Sequence, residues 1–333
     1  MLMTESLSFL DKTPIRWGVI GCGSVAEKKS VPAYQMVPGF EVAMVMRRDA
    51  DKVKDYAERH GIAHCSTNAL EVIQNPEIDA IYIATPPDSH REYALLVAEA
   101  GKPCCIEKPM APTYKESLEI HNAFQEKGLP LFIAYYRRSL PRFNQIKEWL
   151  DEQRIGQVRH IQWTKTKPPT EMDLSGAYNW RTDAKIAPGG YFDDLASHGL
   201  DLFAYLLGNI KKAQGFTTNQ QGLYSAHDSV VGSWIHETGV TGDGVWNFGT
   251  HHRKDQVEIL GSNGKITFAV LDEAPLVLET ANERQELHVP NPEHIQQYHA
   301  QYINDHLRGL SQHPSLGTSG LHTSWVMDQI LGN

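Results

Sequence analysis

The sequence predicts two domains: an α/β domain with a parallel sheet, followed by an α+β domain with a large, mostly antiparallel, open-faced sheet. The chain has 333 residues, which is too long for one ordinary hydrophobic core and sufficient for two. From Arg16 to Ala134, short apolar runs alternate with amphipathic helical patterns, as in a sheet wrapped by crossover helices. After Arg138 the strand patterns follow one another directly, which favours antiparallel pairing.

The elements of the first domain follow from its hydrophobic periodicity. Its strands are predicted at Arg16–Ile20, Glu41–Met46, residues 63–65, Ile78–Ala84, Pro103–Ile106 and Leu131–Ala134. Helices are predicted where apolar residues recur at helical spacing opposite a charged face, at Ala50–Arg59, Asp88–Glu99 and Thr113–Glu126. This alternation predicts a doubly wound domain over residues 1–136.

Residues 137–333 are predicted to form the second domain, for substrate binding and oligomerisation. Its strands are predicted at Val158–Thr166, Asp228–Glu237, Gly244–Phe248, Gln256–Leu260 and Lys265–Val270. The segment Ser262-Asn263-Gly264 supplies a turn between two of them, since its residues tolerate positive φ. Helices are predicted at Tyr191–Leu207, Glu293–Leu310 and Ser319–Leu331, the last of which is able to pack back on the first domain.

The composition excludes several classes of protein. Hydrophobic residues make up 41% of the chain and charged residues 21%, and no apolar run approaches the roughly 20 residues of a membrane span. The net charge of −9 argues against a nucleic-acid partner. Met1 to Pro14 lack the basic start and apolar core of a secretory signal, so we expect a cytoplasmic protein. The four cysteines have neither disulfide nor zinc spacing, and we expect free thiols.

The loop Gly21-Cys22-Gly23-Ser24-Val25-Ala26 follows the first predicted strand and opens a helix. In a dinucleotide-binding loop the first glycine permits a tight turn, and the second lets the backbone approach the pyrophosphate. A small third residue, here alanine, keeps the helix close to the sheet. The position of the loop after the first strand favours a dinucleotide-binding loop over an ordinary glycine turn. It predicts a Rossmann domain whose contacts with the cofactor include Gly21, Gly23, Ser24 and Val25.

Arginines stand where an NAD site usually carries an acid. An Asp or Glu at the end of the second strand accepts hydrogen bonds from the adenosine ribose, but this chain reads Met46-Arg47-Arg48. Two guanidinium groups could bind a 2′-phosphate, so we expect NADP(H) to be preferred, with NAD(H) possible. The alternative is that one arginine stacks on adenine while the other is solvated.

Three further segments carry a family resemblance. The first is Ala84-Thr85-Pro86-Pro87-Asp88-Ser89-His90. The second runs from Gly101 to Pro109 and contains Glu107-Lys108-Pro109, and the third is Gly189-Gly190 followed by Asp194 and His198. With them the chain resembles the glucose-fructose oxidoreductase and inositol dehydrogenase family, Gfo/Idh/MocA, over nearly its whole length. The resemblance implies an NAD(P)-dependent dehydrogenase or reductase acting on CH–OH groups. It also implies a cofactor site that includes Thr85, Pro86, His90, Glu107 and Lys108.

Lys108 is the first candidate catalytic residue. It follows a parallel strand at the carboxyl end, where open α/β sheets bind their ligands. Its ammonium could hydrogen-bond the reacting oxygen of the substrate and stabilise charge that develops during hydride transfer. The alternative is a surface lysine in a turn; the resemblance implies the catalytic lysine. A cis peptide bond is expected before Pro109.

Asp194 and His198 are the other candidate catalytic and substrate-binding residues. They are four apart in a predicted helix and therefore share a face. A histidine can take or return the hydroxyl proton of a substrate, while Asp194 could hold a neighbouring hydroxyl. A buried structural histidine is the alternative, against which the family spacing argues. Asp194 and His198 could bind a metal ion only with a third ligand, and the sequence offers no convincing one, so we expect no metal site.

Aromatic and basic residues extend the candidate site. Trp180 and Arg181 resemble a family pair near cofactor or substrate; the alternatives are core packing and a surface ion pair. Tyr135 or Tyr136, at the end of the last predicted strand of the first domain, could face the pocket, and Tyr135 is assigned to substrate binding. Relatives often carry Asn or His there.

The leading hypothesis is hydride transfer between NADP(H) and a ring hydroxyl or carbonyl of a sugar, cyclitol or related polyol. One alternative is a glycosidase of the same family that uses its dinucleotide for transient redox chemistry. Another is a sugar sensor that binds dinucleotide without turnover, although sensors tend to lose the catalytic residues. The open face of the second sheet needs covering, which predicts a homodimer or homotetramer.

Overall fold

The computed structural model describes residues 9–332, which form two compact units. Residues 1–8, on which part of the expectation about a secretory signal rests, and residue 333 lie outside the described residues. The first unit comprises residues 9–111, 115–140 and 292–321, and the second comprises 112–114, 141–291 and 322–332. A single division after residue 136 does not describe this arrangement, because residues 292–321 return to the first unit.

Each predicted helix is present in the structure, together with four that were not predicted. The helices are α1 (Val31–Gln35), α2 (Ala50–His60), α3 (Ala69–Ile73), α4 (His90–Glu99), α5 (Tyr114–Glu126), α6 (Pro141–Asp151), α7 (Glu171–Ser175), α8 (Tyr191–Leu207), α9 (Gln297–Leu307) and α10 (Gly317–Leu331). Sequence periodicity did not reveal α1, α3, α6 or α7. Three of these have only five residues, too few for an amphipathic repeat.

The first unit contains a six-stranded parallel sheet. Its strands are β1 (Ile15–Ile20), β2 (Phe40–Met46), β3 (His64–Ser66), β4 (Ala80–Ile83), β5 (Cys104–Ile106) and β6 (Leu131–Ile133). Their order, β3-β2-β1-β4-β5-β6, is that of a dinucleotide-binding fold. Two apolar clusters form its core, and Ala300, Ile303 and Leu307 of α9 belong to one of them.

The second unit contains an eight-stranded sheet in the order β14-β13-β12-β11-β7-β10-β9-β8. Its strands are β7 (Val158–Thr166), β8 (Ile210–Thr218), β9 (Ser229–His236), β10 (Thr241–Asn247), β11 (Lys254–Gly261), β12 (Gly264–Phe268), β13 (Leu276–Thr280) and β14 (Arg284–Leu287). All neighbours pair antiparallel except β7 and β10, which are parallel. Strands β8, β13 and β14 were not predicted.

The two faces of this sheet differ in their environment. On one face, the rings of Trp163 and Phe203 are 5.6 Å apart, and Gly199 leaves room for Trp163 against α8. On the other face, the register neighbours Phe216, Val231 and Val245 of β8, β9 and β10 are 80%, 45% and 38% exposed. The predicted fold class, including the open-faced sheet, is confirmed. Among the helices within residues 9–332, none has the length and apolarity needed to cross a membrane.

Candidate active site

The glycine loop has the geometry that a dinucleotide requires. Gly21 has φ +99°, and a Cβ there would lie 2.8 Å from the backbone of Ala84 and Thr85. A Cβ on Gly23 would meet nothing within 4 Å, so the backbone there is open to a ligand. The chain then enters a π-helical turn, Ala26–Ser30, and continues into α1. The open backbone at Gly23 and the helical turn that follows fit a dinucleotide, whose pyrophosphate would be held by backbone N–H groups of this loop.

The two arginines after β2 have different surroundings. The Arg47 guanidinium donates a 3.0 Å hydrogen bond to the carbonyl of Cys22 and is therefore fixed beside the glycine loop. Arg48 is exposed, and no residue in the described part of the chain pairs with its guanidinium. Asp49, the next acid, accepts from the backbone N–H of Lys52 at 3.0 Å as the N-cap of α2.

The loop after β4 is connected to the loop after β5 by His90. This histidine is fully buried, with its Nε2 atom 2.8 Å from the carbonyl oxygen of Thr85 and Nδ1 3.1 Å from that of Pro109. Burial lowers the pKa of His90. Both ring nitrogens face backbone carbonyls, so His90 holds Thr85 and Pro109 in place at the predicted cofactor site. Pro86 immediately precedes the short 3₁₀ turn Pro87–Ser89 that leads into α4.

Glu107 is the centre of a buried hydrogen-bond network. One carboxylate oxygen accepts from the Tyr82 hydroxyl at 2.5 Å and from the Gln296 amide at 2.7 Å. The other accepts from the backbone N–H of Lys108 at 3.2 Å. The carboxylate is therefore held on three sides, and Lys108 is half-buried at the carboxyl end of β5. The Lys108–Pro109 peptide bond is cis, as expected.

The adjacent tyrosines after β6 lie in different environments. Tyr135 is 1% exposed and packs in an apolar cluster with Ile106 and Ile133. Tyr136 lies under the Arg137 guanidinium, 5.0 Å from its ring centroid. Burial raises the pKa of Tyr136, but the charges of Arg137, Lys29 and Lys108 outweigh burial and lower it overall. The Lys108 charge acts on the Tyr136 phenol, so Tyr136 joins Tyr135 as a candidate substrate contact.

In the second unit, a double glycine begins α8. A Cβ on Gly190 would lie 2.4 Å from the carbonyl oxygen of His227, and one on Gly189 would lie 2.5 Å from the Asp193 carboxylate. The Gly189 N–H donates to Asp193 at 2.9 Å. Burial raises the pKa of Asp193 to about 7, with Asp328 and Asp194 contributing. A side chain at either glycine would therefore clash with its neighbours at the start of α8.

Asp194 and His198 lie on one face of α8, as their spacing predicts. The Arg181 Nε–H donates a 2.7 Å hydrogen bond to the Asp194 carboxylate, and the two side chains are 31% and 15% exposed. The Arg181 guanidinium also stacks on Trp180, 4.3 Å from the ring centroid. His198 is 5% exposed and lies one turn further along the helix. The geometry offers a fixed carboxylate next to an imidazole.

Sequence reasoning missed a second group of residues near the start of α8. The Lys167 ammonium lies 3.4 Å from the ring centroid of Tyr191, and burial lowers the pKa of Lys167. The Tyr191 hydroxyl donates to Asp173 at 2.8 Å, and Asp173 closes a capping box with Thr170. The Thr-x-x-Asp spacing was a usable signal for the cap, but nothing local indicated the contact with Tyr191.

No group of His, Cys, Asp and Glu side chains within residues 9–332 is arranged to hold a metal ion. All four cysteines are free, and Cys22, Cys104 and Cys105 are buried.

Comparison with known proteins decides the family. A family model described as "Oxidoreductase family, NAD-binding Rossmann fold" matches residues 15–135, and the GFO/IDH/MocA C-terminal domain model matches residues 143–267. The chain belongs to the Gfo/Idh/MocA family. This Gfo/Idh/MocA protein is a nicotinamide-dependent oxidoreductase with an NAD-binding Rossmann domain.

Relatives support this assignment, and a solved structure shares the fold. Oxidoreductase P35 of Formosa agariphila is 39% identical over 285 residues, which cover 85% of this chain and 88% of the relative. The 1,5-anhydro-D-fructose reductase of Ensifer adhaerens is 28% identical over 256 residues, covering 75% and 74%. The structure of a levoglucosan dehydrogenase in complex with NADH and levoglucosan shares the fold, with a TM-score of 0.83 at 23% identity, covering 95% of this chain and 96% of that one.

Proposed function

We propose that this Gfo/Idh/MocA protein transfers a hydride between NADP(H) and a ring hydroxyl or carbonyl of a sugar, cyclitol or related polyol. The observation that carries the proposal is the position of Lys108. It follows β5 at the carboxyl end of the parallel sheet, the same edge at which the glycine loop follows β1. A half-buried lysine at this edge suits a reaction in which oxygen gains negative charge.

The bound nicotinamide would accept or supply the hydride. In the oxidative direction, His198 takes the proton of the reacting hydroxyl as the carbonyl forms, and it returns the proton in the reductive direction. Lys108 acts as a hydrogen-bond donor that stabilises negative charge developing on oxygen. Asp194, held by Arg181, accepts a hydrogen bond from a neighbouring hydroxyl and orients the ring. Two relatives support a sugar substrate by their names, the anhydrofructose reductase and a levoglucosan dehydrogenase.

The preference for NADP(H) is proposed from Arg47 and Arg48. Arg47 is fixed to the carbonyl of the glycine loop, and Arg48 is exposed and available for a phosphate. Guanidinium groups bind phosphate in a bidentate manner, whereas an acid at this place would repel it.

The test is a screen of sugars and polyols with NADP and NAD in both directions, read by nicotinamide absorbance. A net change in absorbance with one sugar class supports the proposal, while glycoside cleavage without net cofactor reduction supports the glycosidase alternative. Lys108→Ala should lower turnover by orders of magnitude with cofactor affinity little changed. The exposed Lys115 on α5 supplies a matched control, Lys115→Ala. Retained activity in Lys108→Ala would refute the role of Lys108.

We also propose a homodimer or homotetramer that covers the open face of the second sheet. The exposed row Phe216, Val231 and Val245 is the apolar centre of that face. Light scattering on the purified protein measures its mass, and Phe216→Glu should shift it toward the monomer. The free thiols support a cytoplasmic location, which cell fractionation tests.

A further inference from the structure

A small pocket lies within the second unit, between α7, the segment that leads to Trp180, and the loop before β9. Its volume is about 310 Å³, which is the small end of the range for ligand pockets and large enough for one sugar ring. The lining residues that matter here are Met172, Asp173, Tyr178, Asn179, Asp183 and Tyr224.

Two tyrosines give this pocket aromatic surface. Tyr178 is 73% exposed, although tyrosine usually buries most of its ring. The Tyr224 hydroxyl is buried, and it has no hydrogen-bond partner among residues 9–332. A buried hydroxyl normally finds a partner, so Tyr224 is suited to one supplied by a ligand or water. An exposed aromatic ring next to an unsatisfied hydroxyl suits a ligand with both C–H faces and hydroxyl groups.

The charge of the lining restricts the ligand further. The pocket is lined by two carboxylates, those of Asp173 and Asp183, and no lysine or arginine is among its lining residues. One oxygen of Asp183 accepts from the backbone N–H of Lys185 at 3.0 Å. The other oxygen accepts no hydrogen bond from the described part of the chain. The pocket therefore offers acceptors for hydroxyl groups and repels anions.

Hydrogen bonds link this pocket to the candidate catalytic carboxylate in the same unit. Asn179 accepts from the backbone N–H of Arg181 at 3.2 Å, and Arg181 in turn donates to Asp194 at 2.7 Å. Asn179 also donates to the Tyr191 hydroxyl at 3.2 Å, which is bonded to Asp173. The pocket and Asp194 therefore share a supporting segment.

We propose that this pocket is a subsite for a second, uncharged sugar residue of the substrate. The enzyme then acts on a disaccharide or a glycoside in preference to a free monosaccharide. This inference rests on the proposed function, because it assigns the reacting ring to Asp194 and His198. Tyr178 packs on a C–H face of the second ring, and Asp183 and Tyr224 hydrogen-bond its hydroxyls.

The first test compares substrates. Tyr178→Ala should lower kcat/KM for a neutral disaccharide or methyl glycoside roughly tenfold, with kcat/KM for the matching monosaccharide unchanged. Tyr224→Phe, which removes only the hydroxyl, should have the same selectivity with a smaller effect. Leu174→Ala is the control, because Leu174 is 64% exposed on α7 but does not line the pocket. An equal loss on both substrates, or no loss on either, would overturn the subsite.

The second test measures binding without turnover. Saturation-transfer NMR is recorded with maltose, cellobiose, glucose and an acidic disaccharide that carries a uronic acid. We expect signals from the second ring of a neutral disaccharide that Tyr178→Ala abolishes and Leu174→Ala preserves. If such signals occur without any turnover, the subsite stands and the proposed function fails. Turnover of disaccharides with no dependence on Tyr178, stronger binding of the acidic sugar, or no binding of either neutral disaccharide overturns the subsite.

Discussion

The side-chain amide of Gln296 donates a 2.7 Å hydrogen bond to the carboxylate of Glu107. Gln296 stands immediately before α9, whose apolar face packs in the core of the first unit. A segment from near the end of the chain thus supports the residue that precedes Lys108. Because the bonded atoms are buried, this contact should set both the stability and the geometry of the Lys108 loop.

Gln296→Ala should lower the stability of the protein and its turnover together. Glu107 would keep the Tyr82 hydroxyl but lose one of its buried donors, at a cost of about 1–3 kcal/mol. Thermal unfolding and kcat measure the two effects. Gln301→Ala is the control, since the Gln301 amide donates to Asp305 on the same helix. A stable Gln296→Ala variant with full turnover would show that Tyr82 alone is sufficient.

Arg181→Lys should lower kcat/KM roughly tenfold, and Arg181→Met roughly a hundredfold. Lysine keeps the charge beside Asp194 but loses the directed Nε–H bond and the planar contact with Trp180. Steady-state kinetics on the best substrate of the screen checks this prediction. Arg154→Lys is the matched control, because Arg154 bonds the surface residue Glu283. Equal effects at the two positions would count against a role of Arg181 in the site.

The parts of the fold that sequence predicted well are those encoded by local patterns. The predicted bounds of α8 agree with the structure because its apolar residues recur at helical spacing. Those of β7 also agree, with Ile161 and Trp163 alternating with polar residues, although the next inward position is the buried Lys165. Strand β8 was missed since its alternation is interrupted by Lys211 and Lys212, where the register shifts. The parallel pairing of β7 with β10 joins strands far apart in sequence, and no turn residue specifies it.

The candidate site shows the same limit. Glycine spacing predicted the tight loop at Gly21, and helical spacing placed Asp194 and His198 on one face. The different surroundings of Tyr135, in an apolar cluster, and Tyr136, under Arg137, depend on tertiary contacts that two adjacent tyrosines in a sequence do not specify. The contact between Glu107 and Gln296 spans 189 positions, beyond the reach of any local pattern.

Arg48→Ala should weaken NADP(H) binding roughly tenfold or more, a loss of about 1.4 kcal/mol, while NAD(H) binding stays unchanged. The exposed guanidinium has no protein partner to lose among the described residues, so the effect should be specific to the 2′-phosphate. Fluorescence titration of each reduced cofactor measures both affinities. Lys54→Ala, at an exposed position on α2, is the control. A wild-type protein that binds NAD more tightly than NADP would refute the proposed preference.

Asp193→Asn should make the protein less sensitive to alkaline pH. The folded-state pKa of Asp193 is about 7, above its ordinary value of 3.8, so folding favours the protonated acid. The contribution of Asp193 is therefore fully present below about pH 4 and is lost as pH rises through 7, by on the order of 4 kcal/mol. Melting temperatures at pH 5.5 and 8.5 should differ more for wild type than for Asp193→Asn. Asp51→Asn, on the exposed face of α2, should behave like wild type.

His299→Leu should protect the first unit against acid. The His299 ring is fully buried against His313, with 4.6 Å between ring centroids, and burial lowers the pKa of His299 to about 3. In the unfolded chain His299 binds a proton near pH 6.5, whereas in the folded chain burial keeps it neutral down to a much lower pH. The stability of the folded state is therefore unaffected by this histidine above pH 6.5 and decreases as the pH falls below it. Leucine is apolar and removes this titration. The melting temperature of wild type should therefore fall between pH 7.5 and 5 more than that of His299→Leu. His288→Leu, at an exposed position with 75% side-chain exposure, should leave the acid sensitivity as it is in wild type.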